Sequence, residues 1–411
     1  MLEDFFTRVK VIARHRTGLF GAYIDEFVEQ LDAAGYKRRT VRSAVASVQR
    51  FGRWMDRHGQ RARDASEKTI GEFCRMQCAH AGRRAGEAAA LRVLLVHLRR
   101  LGIASTPVQP EGGTLERIER DFATYLRQER ALSEATLKNY VPVARLFMDE
   151  RCASGSSDLA KLCAVDIHEF VLRRVRSCCP KRMQLILTAL RSFLRFLYLR
   201  GQLAAPLAEH LPKVAGWRLS EPPKWLASDA IERTLASCDR RSDVGQRDYA
   251  ILMLLARLGL RAGEIVSMEL EDIRWETGEI RVCGKGKQRK CFPLSQEVGK
   301  AIAAYLKNVR RPCGSRRVFL RIRAPYRGLA NSASLGAIVR RALSRAGLDP
   351  PSKGAHLFRH SLATHMLQNG ATLTEIGQIL HHKSPNTTAI YAKADISGLR
   401  ALARPWPGDR S

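Results

Sequence analysis

Apolar residues recur at helical spacing through the first two hundred positions, and this constrains the fold more than any other feature. Tyr23, Phe27 and Leu31 are followed by Val41, Val45, Val48, Phe51 and Trp54. An apolar residue every three or four positions makes one stripe along a helix and cannot line one face of a strand. The scheme returns in Leu115, Ile118, Phe122, Tyr125 and Leu126, then Leu137, Val141, Val143 and Phe147. Thr40 and Phe51 recur as Thr136 and Phe147 at an offset of 96, and Ile70 and Phe73 recur as Ile167 and Phe170 at 97. VLLVHLRRLG (93–102) matches SFLRFLYLRG (192–201) at 99. Two unrelated amphipathic bundles slid into register would give part of this match. The near-constant offset favours one four-helix unit present twice, over residues 15–110 and 113–212. Gly35 separates the first two helices, and Thr40 and Thr136 are the expected N-caps.

LPKVAGWRLSEPPKW (211–225) carries three prolines between two periodic regions and reads as a linker. A mixed block follows, over 222–411. Ala230–Ser237, Tyr249–Leu260, Val298–Val309, Ser334–Ala346 and Leu357–Leu367 are predicted helices. Ile273–Trp275, Glu279–Cys283 and Lys290–Leu294 are predicted strands, turned at Gly278 and at Gly284-Lys285-Gly286-Lys287. The expected fold is mainly α, with helical units followed by an α+β domain holding a small antiparallel sheet.

The charge then narrows the function. The 411 residues hold 70 Lys+Arg against 40 Asp+Glu, net +30. The excess is spread: 32 basic and 16 acidic residues lie from position 222 onward, and 38 and 24 before it. A GC-rich genome explains arginine over lysine but not basic over acidic, so a polyanion is the expected partner. No run approaches the ~18 apolar residues of a membrane span, and the start lacks a secretory h-region. A cytoplasmic chain is expected. The ten cysteines form no C-x-x-C pair and no zinc spacing, and read as reduced thiols.

Several residues can do chemistry. Arg261 follows an apolar helix between Gly259 and Gly263, with Glu264 as a ready internal partner. Lys285 tops a glycine-freed turn that is not a nucleotide phosphate-binding loop. Five of the eleven histidines lie between 356 and 382. His356 and Arg359 are three apart, so they share a helix face or its N-terminal cap region. His360 and His365 follow, and no glutamate makes an H-E-x-x-H zinc arrangement. His382 precedes Tyr391 by nine residues, with Ser384-Pro385-Asn386 interrupting the helix between them. Taken singly, an internal Arg–Glu pair, a solvated basic turn and an amphipathic tyrosine explain Arg261, Lys285 and Tyr391.

Together, Arg261 in LGLRAGEI, Lys285 in GKGKQRKCFPL, His356-Leu-Phe-Arg359-His360, His382 in LHHKS and Tyr391 in TTAIYAK resemble the tyrosine recombinases, the phage integrase family. The resemblance covers about 222–400 and, more loosely, the helical unit before it. It departs at His381, where the family usually has glycine. It implies SAM-like core-binding units ahead of a catalytic domain, and a site-specific recombinase that cuts and rejoins DNA through a 3′-phosphotyrosyl intermediate without metal, ATP or other cofactor. Tyr391 would be the nucleophile. Arg261 and Arg359 would hold the phosphate, Lys285 would protonate the leaving 5′-oxygen, and His356 and His382 would hydrogen-bond or shuttle protons. The implied partner is double-stranded DNA, bound as a tetramer on two synapsed duplexes by a chain that can be monomeric when free, with room for accessory recombination proteins and a mobile-element setting. A type IB topoisomerase and a catalytically silent DNA-binding protein are the alternatives.

Overall fold

A computed structural model describes residues 2–76, 84–105, 113–153, 159–212, 223–284, 289–382 and 384–394. The helical stripes become helices. The first set is α1 (Leu2–Phe5), α2 (Val9–Arg16), α3 (Ile24–Ala33), α4 (Arg38–Arg57), α5 (Glu67–Met76) and α6 (Arg84–Arg100). The second is α7 (Thr114–Gln128), α8 (Glu134–Ala153), α9 (Ala164–Val175) and α10 (Pro180–Leu199). From α3 and α7 onward the two sets run in parallel order, and α4 and α8 each have 20 residues. Val41, Phe51, Ile70 and Phe73 are buried in the first, as are Leu137, Phe147, Ile167 and Phe170 in the second. Leu2, Phe5 and Ile12 join the first core, so it takes in residues ahead of position 15.

The expected N-caps are displaced. Helix α4 begins at Arg38 behind Lys37, and Thr40 lies inside its first turn. Thr136 likewise lies inside α8, its hydroxyl 3.1 Å from Ser133 Oγ. The apolar stripe does not report the phase of a first turn whose side chains face solvent. Gly35 ends α3 with φ +80°, as its place between helices required. It also meets Tyr326: a Cβ there would come within 2.2 Å of the ring, and the Tyr326 N–H donates to the Ala34 carbonyl at 3.2 Å. Residues 1–106 and 221–411 form one compact unit, and 107–220 form another.

The last block contains α11 (Ser228–Ala236), α12 (Asp243–Arg257), α13 (Ala262–Ser267), β1 (Ile273–Arg274), β2 (Glu279–Cys283), β3 (Arg289–Pro293), α14 (Gln296–Asn308), α15 (Ser332–Arg345), α16 (His356–Gln368), α17 (Leu373–Ile379) and α18 (Pro385–Thr388), then a 3-10 turn over Ala389–Ala394. The strands form one antiparallel sheet in the order β1-β2-β3, with Ile280 opposite Phe292 and both buried. Ser384-Pro385-Asn386 starts a helix rather than only ending one, because proline suits a first helical position. Among the described residues no helix is long and apolar enough to cross a membrane.

Helix α12 is apolar all round from Ala250 to Ala256 and forms the centre of the core. It starts six residues before the expected Tyr249, because Ser242 Oγ accepts from the Gly245 N–H and caps a polar first turn. The next turn buries a charged pair. Arg247 donates from Nε and Nη2 to Asp248 Oδ1 at 3.0 and 2.6 Å, and from Nη1 to the Leu320 carbonyl at 3.4 Å. Removing one partner strands the other charge in the core. Asp248→Ala should therefore cost about 3–5 kcal/mol in denaturant unfolding. A loss below about 1 kcal/mol would mean that Arg247 finds solvent instead.

Candidate active site

The site is organised by Arg359, on the first turn of α16 and only 3 % exposed. Its Nη1 donates to the Gly259 carbonyl and its Nη2 to the Leu380 carbonyl, both at 2.6 Å. These bonds tie the corner after α12 to the end of α17. The corner approaches this closely because Gly259 has φ +59° and no side chain: a Cβ would lie 2.9 Å from Leu380 Cδ2 and 3.0 Å from Leu362 Cδ2. Arg261, two residues later, precedes α13 and is about one-third exposed. The buried Glu264 carboxylate holds it twice, through its backbone N–H at 2.8 Å and its Nη1 at 3.0 Å. The internal Arg–Glu pair is therefore real, and Arg261 still reaches solvent. Burial, then the neighbouring Arg261 charge, pushes the Arg359 guanidinium down to about 10, which leaves it charged at neutral pH.

Tyr391 lies in the turn over Ala389–Ala394 and is 1 % exposed. It packs with Ala363, Ile376 and Leu380 in a small cluster apart from the main core. Its hydroxyl lies 2.9 Å from His360 Nδ1. Burial raises the phenol to about 12, against the pull of Arg359 and then Arg261. The His382 ring stacks on Tyr391 at 6.3 Å, and its Nδ1 lies 2.7 Å from Thr388 Oγ1. Burial first, then the charges of Arg359, Arg261 and Lys290, drive His382 to about 4. His356 opens α16 as an exposed side chain, with its ring 6.1 Å from that of His360.

Arg261, His356, Arg359, His382 and Tyr391 are thus brought into one cluster from α13, α16, the end of α17 and the last turn. Lys285 lies outside the described residues. Sequence reasoning gave His360 no role, although it sits one helical turn after His356 and beside Arg359.

The Phage integrase family profile matches residues 224–397, and the family's N-terminal SAM-like domain matches 120–201. The protein y4rA of Sinorhizobium fredii, which is named as an integrase/recombinase, is 41 % identical over 400 residues, 97 % of either chain. Tyrosine recombinase XerD of Listeria monocytogenes is 31 % identical over 279 residues, 66 % of this chain and 92 % of its own. The chain belongs to the phage integrase family: it is a tyrosine-type site-specific recombinase. The fold of XerH recombinase, in a post-cleavage complex with its difH substrate, superposes with a TM-score of 0.57 at 18 % identity over 83 % of this chain and 96 % of that one. The Tn1549 transposon integrase, in complex with transposon right-end DNA, gives 0.53 at 18 % identity over 69 % and 98 %.

In the recombinase the residue before His382 stands at a helix end that suits glycine. Helix α17 ends in a Schellman motif, with the His382 N–H bonded to the Gly377 carbonyl at 2.8 Å and the His381 N–H to that of Gln378 at 3.0 Å. This forces His381 to φ +49°, a left-handed conformation that glycine adopts without strain. Contacts to β3 offset the strain. His381 Nε2 lies 3.2 Å from the Cys291 carbonyl, its ring meets Phe292 edge-on at 4.8 Å, and its own carbonyl accepts from Lys290 Nζ at 2.7 Å. His381→Ala keeps the strain and loses the ring, whereas His381→Gly loses both. The glycine variant should be more stable than the alanine variant by about 1 kcal/mol in chemical denaturation. Equal midpoints would remove left-handed strain from the account.

His360 and His382 both titrate near 4 in the folded recombinase, below the ordinary 6.5 of an exposed imidazole. Between about pH 6.5 and 4 the unfolded chain binds more protons, so stability rises with pH across that window. Melting temperature should fall as pH drops from 7 to 5 and be nearly flat from 7 to 8. Replacing both histidines with asparagine should reduce the slope. An unchanged slope would assign it to other groups.

Proposed function

We propose that this recombinase cuts and rejoins duplex DNA through a 3′-phosphotyrosyl bond to Tyr391, without metal or ATP. The observation that carries this reading is a phenol held inside the cluster, close enough to Arg359 and Arg261 for both charges to favour its ionised form. A phosphodiester is already negative and resists attack. Two guanidiniums can hold its non-bridging oxygens and stabilise the charge that grows in the transition state. Tyr391 Oη gives its proton to His382 or His356 and bonds to phosphorus as the bond to the 5′-oxygen breaks. The leaving oxygen takes a proton from Lys285, while His356 and His382 hydrogen-bond the phosphate or pass protons. The phosphate ester is conserved, so a second 5′-hydroxyl can reverse the step on another strand.

In this reading the helical module over 113–212 and the catalytic module over 222–411 both grip the duplex, mainly by phosphate contacts. The module over 15–110 extends that footprint or holds a neighbouring protomer. Four protomers on two duplexes exchange strands in the cytoplasm. The matched XerH and Tn1549 proteins, solved as DNA complexes, support a DNA partner.

The burial of Arg359 changes how it should be tested. Alanine would strand two buried carbonyls at about 1–3 kcal/mol each, so lysine is the better substitution. A library of nicked random-sequence duplexes should trap an SDS-resistant adduct with the parent chain and none with Tyr391→Phe. Arg359→Lys should lose about 10²-fold or more in adduct formation with DNA affinity nearly kept. An adduct with Tyr391→Phe would move the nucleophile elsewhere, and trapping with neither would support a silent DNA-binding protein. Relaxation of plasmids without site preference would support a topoisomerase.

A further inference from the structure

We infer that His360 is a positioning residue for the nucleophile: its Nδ1 accepts the hydrogen bond of the Tyr391 hydroxyl and sets the direction of the phenolic lone pairs. The inference rests on reading Tyr391 as the group that attacks phosphorus. A buried phenol needs a hydrogen-bond partner. Among the described residues His360 Nδ1, at 2.9 Å, is the partner of this one. The other two imidazoles are placed differently. His382 stacks on the face of the phenol ring and spends Nδ1 on Thr388. His356 lies on the exposed end of the helix, beyond His360.

The direction of the contact follows from the tautomer of His360, taken as the one with its proton on Nε2. Burial first, then the charges on His356 and Arg359, hold this imidazole at about 4, so it is neutral at physiological pH. A neutral ring with its proton on Nε2 leaves Nδ1 free to accept. The phenol then turns its O–H toward His360, and its lone pairs face away from that ring. A protonated ring would instead aim an N–H at the oxygen and occupy a lone pair needed for attack. The phenol titrates far above the imidazole, so a proton transfer between them is strongly uphill in the free enzyme. His360 therefore orients the hydroxyl and does not act as its base in this state. Helix geometry fixes the His360 side of the contact: Arg359, locked to two carbonyls, is the residue before His360 on α16.

The test uses the full chain with His360→Leu and His360→Asn, the second keeping a polar acceptor near the position of Nδ1. Each variant is checked for an unchanged melting temperature between pH 7 and 8, where the histidines do not affect stability, and carries 3-fluorotyrosine at position 391. His360→Leu should shift the fluorine resonance, and His360→Asn should return it toward the parent value. On nicked duplexes recovered from the random library, His360→Leu should form adduct about 10²-fold more slowly, with DNA affinity within about two-fold of the parent. His360→Asn should recover most of that loss. Parent-like cleavage by His360→Leu, with the parent and Tyr391→Phe still distinct, would overturn this inference alone. Equal loss in the leucine and asparagine variants would reduce His360 to a packing residue and also overturn it. An adduct that survives in Tyr391→Phe would remove the premise and the inference together.

Discussion

A single buried guanidinium holds the site together. Burying a charge is costly unless hydrogen bonds replace water. Arg359 meets that condition by bonding the carbonyls of Gly259 and Leu380, which lie on segments far apart in the chain. The bonds fix the corner that presents Arg261 and the helix end that presents His382. The same charge then acts at a distance on its neighbours. It helps keep His360 and His382 neutral and pulls the Tyr391 phenol toward ionisation, though burial wins there. One residue thus sets both the shape of the pocket and the protonation states inside it.

The balance at Tyr391 has a functional meaning. With the phenol near 12, the free protein holds the Tyr391 hydroxyl protonated and out of water. A resting phenolate between two guanidiniums would make a stable ion pair and a poorer nucleophile. The tyrosine sits in a small apolar cluster with Ala363, Ile376 and Leu380, apart from the large core around α12. Few apolar contacts hold that segment compared with the core helices, which places it toward the low end of local stability.

His381 shows how a side chain can be carried where glycine is the unstrained choice. The helix end demands a left-handed residue, and histidine takes that conformation because its ring and carbonyl gain partners on β3. Those contacts also link the strand pair next to Lys285 in sequence with the turn that presents His382. A glycine would relax the backbone and give up the ring's part of that link.

The sequence by itself determined the class of structure and the family. Periodicity of the apolar residues marked the helices of both sets from α3 and α7 onward, since each stripe must be buried to fold; it did not mark α1 and α2. The glycine turns at Gly278 and at 284–287 marked the strands within a residue. Five separated motifs carried Arg261, Lys285, His356, Arg359, His382 and Tyr391. First turns were less legible, as at Thr40 and Ser242, because their polar side chains leave no stripe. What only the tertiary structure decided is which atoms meet. No spacing rule joins Arg359 to Gly259, one hundred residues away, or His360 to Tyr391, thirty-one residues on. Such contacts arise when separate helices pack and each buried polar group takes the partner within reach, and that outcome belongs to the whole fold rather than to any local run of residues.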